Sequence, residues 1–437
     1  MSLRKPHSTS AFTYREAIPL LLAILFFCAI AWGEEGEGGG YEQRYYNIKA
    51  GPVLFTLNSG LSLEYNDNIN LSNGITSPRQ SDIIVRPHFG IDAVSELQIL
   101  PKSQTDRTTL GVSFNVGTRR YMQHPELNRN ELDLNVSPDS ELSFLIRTGH
   151  FHTRLYERFA LDDDPSGDGT LSNVAVFRRI NNHVGARTTW NMNSKTSFSL
   201  GYDHGNLIAL DYATLSGTAP TLGSLDNSTD QLSFTSFSQI FSLLGVGFNA
   251  SAMSTNFPGN PNQNMTTYSY GPFLDARFTQ YTTLHASYSM TESQEGSLFY
   301  GGGTGGTSIG NGDNNFQVSL TNHLNTYYTQ TFSVGRQTVF NLLGNLTTTD
   351  SISYTSGWRV NSKITLTSSI FAEDSTDQSR FNRNPHYKRY GCSFGTGYQL
   401  SRKMSATLTY QYSKKISDFA DQDYQQNTMI LNIKYAF

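Results

Sequence analysis

The chain has 437 residues, of which 37% are hydrophobic, 12% aromatic and only 16% charged, with a formal net charge of −4. So few aliphatic side chains would struggle to fill a large soluble core, and so many aromatics do not belong in a disordered chain. The mildly acidic balance excludes a nucleic-acid partner, which selects a strongly basic surface.

Residues 1–31 carry the three parts of a secretory signal peptide. Arg4, Lys5 and Arg15 are basic, Ile18 to Ile30 is almost wholly apolar, and Ala29-Ile30-Ala31 is an A-x-A cleavage site. With Glu16 this segment carries 3 − 1 = +2, so the mature chain carries −4 − 2 = −6. The apolar run falls short of the roughly 20 residues of a membrane-spanning helix. Residues 32–52, opening WGEEGEGGGYEQ, read as a flexible periplasmic lead-in. Cys28 lies in the cleaved segment behind a bulky Phe27, which argues against lipid attachment. Cys392 then stands alone, without an internal disulfide. No later segment is apolar enough for a transmembrane helix, so a membrane would be crossed by strands.

From about residue 53 the pattern alternates with period two, the mark of strands with unlike faces. Leu110, Val112, Phe114 and Val116 alternate with Thr, Gly, Ser and Asn; Ala406, Leu408, Tyr410 and Tyr412 do the same near the other end. Short links at Asn193-Ser194-Lys195, Thr279-Gln280-Tyr281, Asn361-Ser362-Lys363 and Ser401-Arg402-Lys403 separate alternating runs, with weaker ones near Gln239 and Thr326. Longer Gly-, Asn- and Asp-rich loops fall between them, over 205–226, 256–264, 296–313 and 373–385. The expectation is an all-β chain forming a transmembrane, antiparallel, up-and-down β-barrel over 53–437. It has short periplasmic turns, long extracellular loops and roughly 18 strands, with 16 as the alternative.

The last run, Met429 to Phe437, places apolar residues on odd positions and ends on a terminal Phe. In this it resembles bacterial outer-membrane barrels. The resemblance implies that Tyr435 and Phe437 are read by the barrel-assembly machinery, after periplasmic chaperones have delivered the chain to the outer membrane of a Gram-negative-type cell. Near the other end, Leu61-Ser62-Leu63-Glu64-Tyr65-Asn66-Asp67-Asn68-Ile69 resembles the first strand and loop of the β-barrel porin 2 family, whose members often accompany exopolysaccharide gene clusters.

If apolar positions face lipid, alternate positions face the lumen. That parity assigns Arg86, His88, Arg119, Asp133, Arg187, Asp275, Arg277 and Arg359 to the pore wall, since a charge on the lipid face near midplane costs roughly 2–4 kcal/mol. The stretch from His152 to Arg179 holds Arg154, Arg158, Arg178 and Arg179 around an acidic knot, Asp162-Asp163-Asp164. Folded into the pore it would be a constriction loop with a transverse field; the bland alternative is a solvated surface loop. Asp162, Asp164 and Ser166 have spacing reminiscent of a calcium loop, but Pro165 and Asn173 depart from that pattern. No metal or other cofactor is otherwise indicated.

Outer-membrane lipid and a small polar solute or polysaccharide are the expected partners; the oligomeric state is not legible. The function classes that remain are a passive or saccharide-conducting pore, a structural or adhesive barrel with a closed lumen, and a barrel enzyme. No Ser/His/acid pattern stands out from the Ser-rich background to support the last.

Overall fold

The computed structural model describes residues 46, 48–75, 77–97, 106–128, 134–164, 172–213, 225–295, 313–341, 345–378 and 385–437. The signal peptide, most of the lead-in, Asp133 and Ser166 lie outside the described residues.

The alternating runs close into one antiparallel barrel of 18 strands. In chain order these are β1 (Val53–Asn66), β2 (Asp82–Leu97), β3 (Arg107–Thr118, continued by Arg120–Tyr121) and β4, broken into Leu134–Val136 and Glu141–Thr148. Then come β5 (Phe151–Asp162), β6 (Val176–Asn191), β7 (Thr196–Ala213), β8 (Asn227–Phe241), β9 (Leu244–Asn256), β10 (Met265–Arg277) and β11 (Thr282–Glu295). The circuit ends with β12 (Asp313–Asn325), β13 (Tyr328–Phe340), β14 (Leu346–Arg359), β15 (Ile364–Gln378), β16 (His386–Gln399), β17 (Met404–Ser417) and β18 (Tyr424–Ala436). Each strand pairs with the next, and β18 pairs back onto β1 from Asn58↔Ala436 to Asn66↔Thr428. Closure removes the two open edges that a sheet of this length would otherwise expose.

The turns at one end are short for a chemical reason. Asn193, Asn325 and Asn361 each turn the side-chain carbonyl back onto two following backbone N–H groups, at 2.8–2.9 Å. Such an Asx arrangement substitutes for the missing ladder and reverses the chain. The link expected near Gln239 lies instead at 242–243, because β8 continues through an irregular register between Gln239 and Phe241. Strands also extend into three segments expected as loops. β7 runs to Ala213, β15 runs to Gln378, and most of 152–179 is divided between β5 and β6.

Directly opposite residues on antiparallel strands share a face, so the register fixes which side chains point out. Leu61, Leu63, Tyr65, Ile83, Phe89, Leu200, Phe234, Phe316, Ile352, Ile370 and Phe394 are outward and exposed. At the periplasmic end a girdle includes the stack Phe151–Trp190–Phe198, with centroids 6.1 and 5.6 Å apart, and Tyr435 edge-on to Phe437 at 5.2 Å. At the extracellular end four tyrosine hydroxyls donate to a polar group on the adjacent strand. Tyr202 reaches Asp230 at 2.6 Å, Tyr270 reaches Glu292 at 3.2 Å, and Tyr288 and Tyr410 reach Asn314 and Asn427 at 2.7 Å. On β14 the distance from Trp358 up to outward Asp350 is about 20 Å, for eight residues of strand tilted near 40°. That matches an apolar band roughly 25 Å tall between aromatic girdles.

The seam between the first and last strands is locked by the motif that drew attention near residue 66. The Asp67 carboxylate accepts from the backbone N–H and the side-chain amide of Asn427, both at 2.6 Å. Asn68, fully buried, donates to the carbonyls of Ser72 and Gln425 at 2.8 Å and accepts from the Ser72 N–H. Gln426 donates back to Asn66 and to the Asn68 carbonyl. The chain after β1 is thereby turned inward over the barrel mouth.

Candidate functional site

The lumen is the site, and its two ends differ. Near the periplasmic end the inward residues are half-buried or exposed, as at Thr355, Thr365, Thr367, Arg359 and Gln411. At the extracellular end the inward residues are buried and packed. Ile69 from the first loop meets Ile84 of β2 and Tyr121, making a small apolar cluster inside the wall; Val174, Phe177 and Leu225 make another.

Between these clusters lies a network of charges. Arg119, only 4% exposed, donates to Asp163 at 2.8 Å and to Asp164 at 2.7 Å. Arg86 pairs with Glu64 at 2.6 Å and reaches Asp164 at 3.5 Å, while Arg179 donates to Asp162 at 2.6 Å. Buried charges persist only when paired and hydrogen-bonded, and each of these carboxylates meets a guanidinium. Asp82, fully buried, is held by three backbone N–H groups, from Met122, Gln123 and His124, at 2.9–3.0 Å. On that same outer loop the Glu126 carboxyl lies below the usual carboxylate range, through its own backbone N–H and the His124 ring beside it.

Ser172 and Asn173, which precede β6, contact the mouth on the side of β17 and β18. The Asn173 N–H donates to the Leu71 carbonyl at 3.3 Å, and its side chain donates to the Asp421 carbonyl at 2.8 Å. Ser172 donates to the Gln422 carbonyl at 3.0 Å and accepts from buried Lys415 at 3.2 Å. A segment rooted between β5 and β6 is thus tied to β17 and to the loop before β18. Leu71 (φ 49°) and Asn173 (φ 60°) are the non-glycine residues with positive φ among the described residues, and they touch each other. Asn tolerates that region, whereas Leu pays roughly 1–2 kcal/mol; burial of the Leu71 side chain to 1% exposure holds it there.

Below the mouth the wall divides into two sectors. From β3 to β7 it is ionic. Both Arg154 and Arg158 contact Glu141, the latter at 2.7 Å, and Tyr156 donates to Asp203 at 2.7 Å with His183 at 3.1 Å from the same carboxylate. From β12 to β17 it is mostly hydroxyl and glycine. Thr321 meets Thr331 at 3.1 Å, Ser333 donates to Ser319 at 3.0 Å, and Ser369 meets Ser393 at 2.8 Å. The Glu373–Arg389 pair at 2.8 Å interrupts that sector high on the wall.

The register puts Arg86, His88, Arg187, Asp275 and Arg277 on the inward face, with Arg359 beside the periplasmic turn. Asp275 pairs with His285 at 2.6 Å. Arg119 also points inward, beyond the end of β3, into the mouth network. Arg154 and Arg158 stand on β5 rather than on a loop, and Arg178 and Arg179 stand on β6. Their spacing already carried part of the strand signal, since His152, Arg154, Tyr156 and Arg158 alternate with Phe151, Thr153, Leu155, Glu157 and Phe159, where Glu157 breaks the apolar parity.

Several inward residues were not anticipated. Phe237 and Phe273 stack at 6.3 Å, with His285 at 5.9 Å from Phe273. They lie flat because a glycine opens the space: a Cβ on Gly245 would overlap the Phe237 ring, and one on Gly247 the Phe273 ring. Tyr156 lies likewise across Gly185, and Phe371 across Gly391. The available signal was the interval of three between Phe234 and Phe237, which puts the two rings on opposite faces.

Neither a protein-family model nor a curated protein sequence matches the chain. Solved structures do. OccK8 (OprE) of Pseudomonas aeruginosa is similar at a TM-score of 0.50 and 11% identity, over 88% of this chain and 98% of that one. A BenF-like porin from Pseudomonas fluorescens Pf-5 is similar at 0.50 and 12%, over 88% and 99%. OccAB2 of Acinetobacter baumannii is similar at 0.50 and 11%, over 88% and 98%. At such identity the likeness is one of fold, a closed antiparallel barrel of 18 strands.

Proposed function

We propose that this chain is a pore for passive diffusion of small hydrophilic solutes across the outer membrane, with saccharides as the finer reading of its substrate class. The observation that carries the proposal is the inward wall of β12–β17, where Ser, Thr and Gly face a lumen whose periplasmic half is not packed. Hydroxyls on a stiff wall exchange hydrogen bonds with water or with sugar hydroxyls without fixing a charge in the path. The first-strand resemblance to exopolysaccharide-associated porins favours the same solute class. Arg187, Arg277 and Arg359 line the path in this reading, and the Arg119–Asp163–Asp164 contact narrows the mouth.

The test is single-channel conductance of the refolded mature chain in a planar bilayer, followed by swelling of vesicles in neutral and anionic sugars of matched mass. Stepwise conductance with swelling in neutral sugars is the expected result. A barrel that inserts yet stays silent overturns the proposal and favours the second reading, a structural or adhesive barrel. That reading draws on Ser172 and Asn173, whose side chains are bonded to the carbonyls of Gln422 and Asp421 at the mouth. Neither reading invokes a catalytic residue.

The terminal strand is proposed as the assembly signal read by the barrel-assembly machinery, with Tyr435 and Phe437 as its determinants. Both rings stand at the periplasmic girdle, and the Phe437 N–H donates to the Leu57 carbonyl at 3.1 Å.

A further inference from the structure

Descending from the extracellular end, β15 presents outward Asp374, Ala372, Ile370 and Ser368, and β16 presents Lys388, Tyr390, Cys392 and Phe394 directly opposite them. Asp374 faces a base, Ala372 and Ser368 face the larger Tyr390 and Phe394, and the order of size reverses at Ile370, which faces Cys392. The flanking strands repeat the charges, with Asp350 opposite Asp374 on β14 and Lys414 opposite Tyr390 on β17. Around the barrel the outward order is therefore acid, acid, base, base.

On β13 Gln330 stands between Tyr328 and Phe332, and on β14 Ser356 stands between Trp358 and Tyr354, so polar groups interrupt the outward apolar run on these two strands, whereas on β17 Met404, Ala406, Leu408, Tyr410 and Tyr412 keep it unbroken. The hydroxyls of Ser356 and Ser368 meet at 2.9 Å, and Tyr354 donates to Gln330 at 3.1 Å. Polar groups at this depth are poorly suited to acyl chains and well suited to a protein surface.

We propose that β14–β17 is the contact face of a two-fold homodimer, its occupant a second copy of this chain. An axis along the membrane normal between β15 and β16 sets β15 against the partner's β16. Asp374 then meets the partner's Lys388, and Asp350 meets the partner's Lys414. Ala372, next down β15 and still close to the axis, lies on the side toward the partner's Tyr390. Opposite residues on tilted strands differ in height by about 3 Å, one strand spacing at near 40°, which a lysine side chain spans. The charge order selects this axis, because moving it between β14 and β15 would set Asp350 against the partner's Asp374. Within one barrel Asp350 pairs with Arg336 at 2.5 Å, and Asp374 with His386 at 2.5 Å and Lys388 at 3.4 Å, yet these five side chains stay 36–59% exposed and can take a further partner.

Ala372 stays close to the axis and serves as the reporter position, as Ala372→Cys in a Cys392→Ser background. The mature chain is placed in lipid nanodiscs and weighed by native mass spectrometry, and the reporter variant is treated with a short bismaleimide. A dimer mass and a cross-link at Ala372→Cys are expected. Lys388→Glu/Lys414→Glu and Asp350→Lys/Asp374→Lys should each be monomeric, and an equimolar mixture of the two should form a heterodimer. Wild-type monomers or trimers, or charge variants that still dimerise, overturn the proposal. So does a monomer that retains a phosphorylated glycolipid lost in Lys388→Glu/Lys414→Glu, which would make the face a lipid-headgroup site. Heat-modifiable gel migration verifies folding of each variant, with Lys388→Gln/Lys414→Gln as the milder replacement.

Discussion

Replacing Arg119 with Met should release Asp163 and Asp164 from the barrel wall and loosen the contacts of Asn173 and Phe177. The guanidinium is 4% exposed, and its two bonds reach carboxylates that are 14% and 32% exposed. Removing one partner of a fully buried pair typically costs about 3–5 kcal/mol, because the other charge is left uncompensated. Asp164 is partly wet and keeps Arg86 at 3.5 Å, so the lower end, about 3 kcal/mol, applies. At 1.36 kcal/mol per decade this shifts the docked-to-released ratio by about two orders of magnitude. Hydrogen exchange reads the shift at two amides, Asn173, which donates to the Leu71 carbonyl, and Phe177, which donates to the Asp163 carbonyl. Both should exchange about 100-fold faster, while amides in the middle of β5 and β6 keep their protection. Arg119→Met/Asp163→Asn should recover part of the loss, since it removes both members of one pair. Exchange within twofold of wild type at both amides in Arg119→Met would refute the reasoning.

Three further outcomes are expected. Gly185→Ala should push the Tyr156 ring off the wall and break its bond to Asp203, lowering stability by about 1–3 kcal/mol and reducing any conductance; the urea midpoint in lipid vesicles and current recordings check it. Phe234→Arg, on the lipid face, should cost about 2–4 kcal/mol in a refolding titration, whereas Thr235→Arg, on the lumen face, should cost well under half as much. Asp67→Ala should lose two charge-assisted bonds at the seam, worth about 3 kcal/mol together, and a double-mutant cycle with Asn427→Ala should show most of that coupling.

Alternation made most of the fold legible, because a barrel wall with lipid on one side and water on the other imposes period two on every strand. It also gave the inward parity of Arg86, His88, Arg187 and Asp275. It was least informative in the first third, where the strands are interrupted. β3 is interrupted at Arg119, and across the break in β4 between Val136 and Glu141 the pairing with β3 shifts by two residues; parity survives both interruptions, but the strand ends are hard to place there. The mouth network was not legible either. Its residues, Glu64, Arg86, Arg119 and Asp162 to Asp164, come from four separate stretches, and nothing in the spacing of one says which guanidinium another will meet. The inward aromatics were missed because aromatics were counted with the lipid face, although Gly245, Gly247 and Gly185 leave room for rings on the other side.

The seam carries a consequence for the order of events during biogenesis. Asn68 and Gln425, whose amide–carbonyl bond helps to order the first loop, are 357 residues apart. A contact of that sequence separation cannot form until the whole chain has been made and the last strand has been delivered. The first loop of the barrel is therefore among the last parts to settle. Until then its Asn and Asp side chains remain solvated, and the extracellular mouth takes its final shape only when the two ends of the polypeptide meet.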